Sequence, residues 1–246
     1  MKEIKLSISQ GKTKLYGILH TPAKKTKRAI VFANGYPDNI LDSHIIINSA
    51  RYFCENGFAV LRFNPRGRWP TKGKLTKFGL WDNVTDLKNA VTALKRRGYE
   101  SIGIIGHSLG GISTILLNSE DVSAIALWEP SSLSIFKNFI SKKNMIKQIS
   151  KLGYSVEEES GFVVGRKLFE DIKNIGDISE QIKKIKSPLL IVVGSKLLIP
   201  TAHVYFKQTN KPKSLKIIKN ATHSFDNYEQ EKMLIKYTLD WFHKWL

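Results

Sequence analysis

The segment Gly106-His107-Ser108-Leu109-Gly110 constrains this chain most, because its two flanks demand different backbone geometries. An apolar run, Ile102-Gly103-Ile104-Ile105, precedes it, and Ile112-Ser113-Thr114-Ile115-Leu116-Leu117 follows, so the context reads strand, sharp turn, helix. A turn this tight strains the backbone of its central residue. The flanking glycines, with Gly111 beyond them, leave room for strand and helix to approach. The pattern is G-x-S-x-G, which makes Ser108 a candidate nucleophile. The following helix aims its unpaired amides and positive dipole end at the turn, where an oxyanion forms during acyl transfer.

Around this turn, strand-like runs alternate with helical periods, the pattern of an α/β sheet covered by helices on both faces. Glu3–Ile8 and Leu15–His20, separated by Ser9-Gln10-Gly11-Lys12, read as an antiparallel hairpin. A parallel part follows, with strands expected at Ala29–Ala33, Ala59–Phe63, Ser101–Ile105, Ser123–Leu127, Leu189–Val193 and Leu215–Ile218. Helices are expected near Ser43–Asn56, Leu80–Arg97, Leu109–Asn118, Thr201–Lys207 and Asn227–Leu246. The sum is an eight-stranded, mostly parallel sheet. Between Pro130 and Pro188 the rhythm breaks, with no convincing central strand. There Ser132–Ser150 and Val163–Ile175 carry helix-compatible patterns, separated by Gly153, the acids Glu157-Glu158-Glu159 and Gly161. The expected organisation is a core of residues 1–130 and 187–246, with residues 131–186 inserted after the sixth strand as a small helical lid.

The 246 residues suit one such domain, and no apolar stretch approaches the ~20 residues of a membrane span. The opening Met1-Lys2-Glu3-Ile4-Lys5 alternates charge with apolar residues and lacks a signal peptide's apolar core, so the expectation is a soluble, cytoplasmic protein. Cys54, the single cysteine, lies in a helical pattern as buried filler, and the six histidines are scattered without metal-ligand spacing. Neither a metal nor a cofactor is expected. The net charge of +18 raises the question of nucleic acid. Its clusters, Lys24-Lys25-Thr26-Lys27-Arg28, Lys183-Lys184-Ile185-Lys186 and Lys211-Pro212-Lys213, lack interleaved aromatics and read as solvated surface rather than a specific nucleic-acid site.

A serine hydroxyl is a weak nucleophile until a base takes its proton. His223, in Asn220-Ala221-Thr222-His223-Ser224-Phe225, follows the last strand and precedes the terminal helix, which brings it to the carboxyl ends of the strands. His20, His44, His203 and His243 suit surface or packing roles. Oxyanion stabilisation needs two convergent amides. Leu109, after the nucleophile, supplies one; Tyr36, in Asn34-Gly35-Tyr36-Pro37-Asp38 after the third strand, is the candidate for the other.

With these residues assembled, the chain resembles the α/β-hydrolase superfamily over nearly its full length. The match is carried by Gly106–Gly111, Asn34-Gly35-Tyr36, Phe63-Asn64-Pro65-Arg66-Gly67 and Ala221-Thr222-His223. Asn34 stands where such proteins commonly have histidine. The inserted stretch, with Gly161-Phe162-Val163-Val164-Gly165-Arg166 and Phe169-Glu170-Asp171, looks like the small cap of feruloyl-esterase-like carboxylesterases. In the superfamily the acid usually follows the seventh strand in Gly-x-x-Asp, but this chain reads Gly194-Ser195-Lys196-Leu197. Leucine cannot stabilise an imidazolium. Glu129, in Ala126-Leu127-Trp128-Glu129-Pro130, is similar to the acid that some branches, including certain haloalkane dehalogenases, place after the sixth strand. A glutamate capping the insertion's first helix is the competing reading, and Asp226 is a third choice.

The resemblance implies a serine carboxylesterase with Ser108, His223 and Glu129 as its triad and a small-molecule ester as its substrate. Leu197 motivates the alternative of a non-catalytic binding or interaction protein that kept the fold. Trp69, Trp81, Trp128, Phe136 and Phe139 are candidates for lining an apolar pocket, with core packing as the competing role.

Overall fold

The computed structural model describes residues 1–10, 13–157 and 161–246. Gly11 and Lys12 of the expected hairpin turn, and Glu158 and Glu159 of the acidic run, lie outside the described residues. The strands β1 (Lys2–Gln10) and β2 (Thr13–Thr21) pair antiparallel, as the hairpin pattern predicts. Next come β3 (Arg28–Ala33), α1 (His44–Glu55), β4 (Ala59–Asn64), α2 (Leu80–Arg96), β5 (Ser101–His107), α3 (Leu109–Leu117) and β6 (Ala124–Trp128). After an intervening stretch, the chain closes with β9 (Leu189–Val193), α8 (Ile199–Gln208), β10 (Lys213–Ile217) and α9 (Tyr228–Trp245). The sheet order is β1-β2-β4-β3-β5-β6-β9-β10, with β2 antiparallel to both β1 and β4 and the remaining pairs parallel. The expected eight strands are all present in one sheet.

Alternation along the strands divides the core into two layers. In β3, Ala29, Val31 and Ala33 face the layer of α2, α3 and α8, whereas Ile30 and Phe32 face α1 and α9. In β6, Ile125 and Leu127 join the first layer, while Ala124, Ala126 and Trp128 join the second. Trp128 is therefore a core residue. It meets Phe32 edge to face and donates its indole N–H to Thr238 Oγ1 at 2.9 Å, which removes it from the pocket-lining candidates.

Between β6 and β9 lie α4 (Leu133–Ile140), α5 (Lys143–Leu152), β7 (Tyr154–Val156), β8 (Val163–Gly165), α6 (Arg166–Asn174) and α7 (Ile178–Ile182). Two expectations are corrected here. Ser132–Ser150 forms two helices, broken at Ser141 and Lys142, and Val163–Gly165 is a strand paired antiparallel with Tyr154–Val156. Three-residue strands are too short to show a two-residue period, so the sequence reads as helix through them. The stretch seats on the α2/α3 face, with α7 against α3 and α8, and α6 against α2. Lys167 of α6 bonds Asp82 in the first turn of α2 at 2.7 Å.

No helix among the described residues is long and apolar enough to cross a membrane. Folding also brings aromatics to one lysine cluster: Lys213 Nζ lies 4.7 Å from the Phe206 ring centroid, near Trp241 and Trp245.

Candidate active site

Every parallel strand that matters for the site ends on the same edge of the sheet, so the loops after β3, β5, β6 and β10 converge. At the end of β5 the chain reverses into α3 through Ser108, whose φ of 54° and ψ of −120° lie outside the regions a side chain favours. Strain of this kind costs on the order of 1–3 kcal/mol and persists where the surroundings fix it. Here Ser108 N–H donates to Trp128 O at 3.0 Å, and its carbonyl accepts from Gly111 and Ser131. The glycines are steric necessities. A Cβ on Gly110 would lie 1.9 Å from Ala33 O, and one on Gly106 would meet Gly111 Cα at 2.9 Å.

Ser108 Oγ lies 2.9 Å from His223 Nε2, so the elbow and the loop after β10 bring together the two side chains the sequence nominates. The His223 side chain is half exposed, whereas Glu129 is fully buried, with its Oε2 3.5 Å from His223 Nδ1. That separation is at the long end of hydrogen-bond reach. Glu129 also has a positive φ of 44°. Its carboxylate crosses to the segment after β9, where Oε1 accepts the Gly194 and Ser195 amides and Oε2 accepts the Ser195 hydroxyl. Burial alone would raise this carboxyl's pKa. Hydrogen bonds from His223, Ser195 and Gly194 outweigh it and hold the pKa below the ordinary carboxylate value.

The two other readings of the acid meet a different geometry. Glu129 does not cap α4, because Ser132 holds the N-cap position and accepts from Ile135 N–H. Asp226 is exposed, and its carboxylate accepts from Thr222 Oγ1 at 2.6 Å. Leu197 is 65% exposed, and its neighbours Gly194 and Ser195 carry the donors that bind the Glu129 carboxylate.

The loop after β3 packs directly on the elbow: a Cβ on Gly35 would meet Ser108 Cβ and His107 Nδ1, each at 3.1 Å. Asn34 Nδ2 donates to Phe63 O at 3.0 Å, which fixes the start of this loop. The backbone N–H groups of Tyr36 and Leu109 donate to no partner among the described residues. Tyr36 is buried; its hydroxyl donates to Val163 O at 2.5 Å and its ring stacks on Phe78 and meets Phe162 edge to face. Phe136 and Phe139 contact the same Phe162 ring. Trp69 is 75% exposed, and Trp81 is half exposed at the edge of a cavity lined also by Leu116 and Asp171.

Three residues here escaped the sequence reading. His107, buried, pairs with Asp38 through Nδ1 at 3.1 Å and reaches the His223 backbone carbonyl through Nε2 at 3.0 Å. Ser131 Oγ lies 3.1 Å from Ser108 Oγ. The available signals were slight: a polar residue beside the nucleophile, an aspartate in the loop after β3 and a serine just past β6. Among the described residues, no group of three or more His, Cys, Asp or Glu side chains is placed to hold a metal ion.

Comparison with solved structures agrees with this architecture. The chain is similar to Est1E from Butyrivibrio proteoclasticus with ferulic acid bound, at 19% identity over 97% of this chain and 99% of that one, TM-score 0.82. It is also similar to the esterase Pf2001 of Pyrococcus furiosus, at 18% identity over 99% and 93% of the two chains, TM-score 0.74. Dienelactone hydrolase from Anabaena variabilis matches at 18% identity over 100% and 98%, TM-score 0.70. No family model and no curated protein matches the chain. The chain has the α/β-hydrolase fold.

Proposed function

We propose that the chain is a serine hydrolase, a carboxylesterase of small to medium acyl or aromatic esters. His223 Nε2 takes the Ser108 proton as Oγ bonds to the ester carbonyl carbon, and the amides of Tyr36 and Leu109 hold the resulting oxyanion. Collapse breaks the bond to the alcohol, which leaves with the proton from His223. Water, deprotonated by the same imidazole, then releases the acid and restores the Ser108 hydroxyl. Glu129 orients His223 and stabilises its imidazolium. The observation carrying this reading is the 2.9 Å contact of Ser108 Oγ with His223 Nε2, whose Nδ1 faces a buried carboxylate 3.5 Å away.

In the same reading, residues 131–186 act as a cap on the core of residues 1–130 and 187–246. Support comes from Phe162 and Val163, which close on Tyr36 beside the reacting centre, and from the Phe136, Phe139 and Phe162 rings clustered there. Such rings suit an aromatic acyl group, in keeping with the likeness to a protein solved with ferulic acid. The non-catalytic reading rested on Leu197, and a carboxylate facing His223 from elsewhere favours catalysis instead.

The test is turnover of p-nitrophenyl esters by wild type and Ser108→Ala, together with labelling of Ser108 by a fluorophosphonate. Turnover abolished by the substitution and covalent labelling of Ser108 are expected. Unchanged turnover, or no labelling of folded protein, would remove the proposal.

A further inference from the structure

Arg68, in the loop after β4, is only 4% exposed, which is unusual for a guanidinium. Its Nη1 donates to two backbone carbonyls of the loop after β3, Gly35 O at 2.7 Å and Asp38 O at 2.9 Å. The guanidinium also lies over the Tyr36 and Phe78 rings, at 5.1 and 5.5 Å from their centroids. Its Nε and Nη2 have no hydrogen-bond partner among the described residues. Burial draws its pKa down to about 10, against the opposing charge of Asp38. A buried cation with two orphan donors costs stability, so its placement calls for an explanation beyond packing.

We propose that Arg68 is a positioning residue for the oxyanion site, holding and polarising the peptide group between Gly35 and Tyr36. The proposal rests on the reading above, in which the Tyr36 amide is an oxyanion donor. A planar trans peptide points its C=O and N–H in opposite directions. Fixing the Gly35 carbonyl on Arg68 therefore fixes the direction of the Tyr36 N–H at the other end of the same plane. A charged donor on the carbonyl also draws electron density from the nitrogen, which makes that N–H a stronger donor to a developing negative charge. The second bond, to Asp38 O, closes the loop on the far side of Tyr36 and resists rotation of this peptide.

Arg68→Met keeps the length and apolar contact of the side chain while removing both bonds. The expected result is a kcat for p-nitrophenyl acetate lower by about ten- to a hundredfold, short of the ~10²–10³ lost with an oxyanion donor itself. KM should stay within about twofold, because an interaction realised in the transition state leaves ground-state binding unchanged. Tm should change little, since relief of the buried charge offsets the two loop carbonyls left without their donor. Affinity for a trifluoromethyl ketone, which mimics the tetrahedral oxyanion, should fall in parallel with kcat. Should Arg68→Met fail to fold, Arg68→Lys serves: it keeps the charge but not the planar fork, and an intermediate loss of kcat is expected. Wild-type kcat and ketone affinity in whichever variant folds would overturn the proposal. Ser108→Ala measured alongside separates the two claims. If it is inactive while Arg68→Met matches wild type, only the role of Arg68 falls; if it hydrolyses like wild type, the serine mechanism falls too.

Discussion

The Glu129 carboxylate is bound by Ser195, through both the amide at 2.8 Å and the hydroxyl, although the two residues sit on different strand ends. The turn after β9, where the sequence resemblance leads one to expect an acid, here carries donors to a carboxylate at the end of β6. A side chain bridging two strand ends in this way is rigid, and rigidity is what a group that orients an imidazole requires.

Glu129→Gln removes the charge and leaves an amide that cannot accept from His223 and from both backbone N–H groups as the carboxylate does. The expected loss of kcat is up to about 10⁴-fold, by analogy with loss of a triad carboxylate. Steady-state kinetics on p-nitrophenyl acetate measures it. Retention of activity within tenfold would mean that another group orients His223.

The sheet was legible because each strand and helix carries its own period. Observed bounds for α1, α2, α3, α8 and α9 fall within two residues of expectation. Ser108, His223 and the loop at Tyr36 were legible because the elbow is a local motif, with its partners in fixed chain order. The setting of Glu129 was not legible, since its carboxylate is held by Gly194 and Ser195, far along the chain. His107–Asp38 and Arg68–Gly35 were illegible for the same reason: they join residues that only the folded sheet makes neighbours. The β7–β8 pair was lost because each strand is shorter than the pattern needed to recognise it.

Ser131→Ala tests the second hydroxyl at the nucleophile. In the acyl-enzyme of the proposed mechanism, Ser108 Oγ would be the ester oxygen that leaves as water attacks, and Ser131 Oγ stands 3.1 Å from that atom. Loss of one such hydrogen bond slows deacylation by about threefold to tenfold. Stopped-flow traces with p-nitrophenyl acetate should show a fuller burst followed by a slower steady state. A wild-type steady-state rate with an unchanged burst would assign Ser131 a packing role only.

Gly35→Ala places a Cβ 2.6 Å from Asp38 Oδ2 and 3.1 Å from both His107 Nδ1 and Ser108 Cβ. The Asp38 carboxylate must shift, and the two contacts at 3.1 Å press the loop off the elbow by a few tenths of an ångström. Overpacking of this kind costs about 1–3 kcal/mol, or several degrees in Tm for a chain of this size. Activity should fall further than the fraction unfolded explains. A variant with wild-type kcat and Tm would mean that the loop tolerates displacement.

Asp38→Asn tests the buried pair behind the catalytic loops through pH. Burial pushes His107 toward the neutral form, yet the hydrogen bond and charge of Asp38, the His223 carbonyl and the charge of Glu129 outweigh it and raise its pKa above 6.5. The stability this confers is complete below pH 6.5 and is lost as pH rises through the folded-state value. For Asp38, burial is outweighed by the hydrogen bond and charge of His107, then by Arg68 and His223, so its pKa lies below 3.8. Its contribution is present above 3.8 and is lost as pH falls through the lower folded value. The pair therefore favours the fold between the folded-state pKa of Asp38 and that of His107. Asparagine removes the hydrogen bond and charge that do most to raise the His107 pKa, so the stability His107 contributes below its folded-state value shrinks. Wild-type Tm should decline from pH 6.5 to 9 relative to Asp38→Asn, whose own profile is flatter. Parallel thermal-melt profiles for the two proteins over that range would show that His107 does not carry the proton in the folded state.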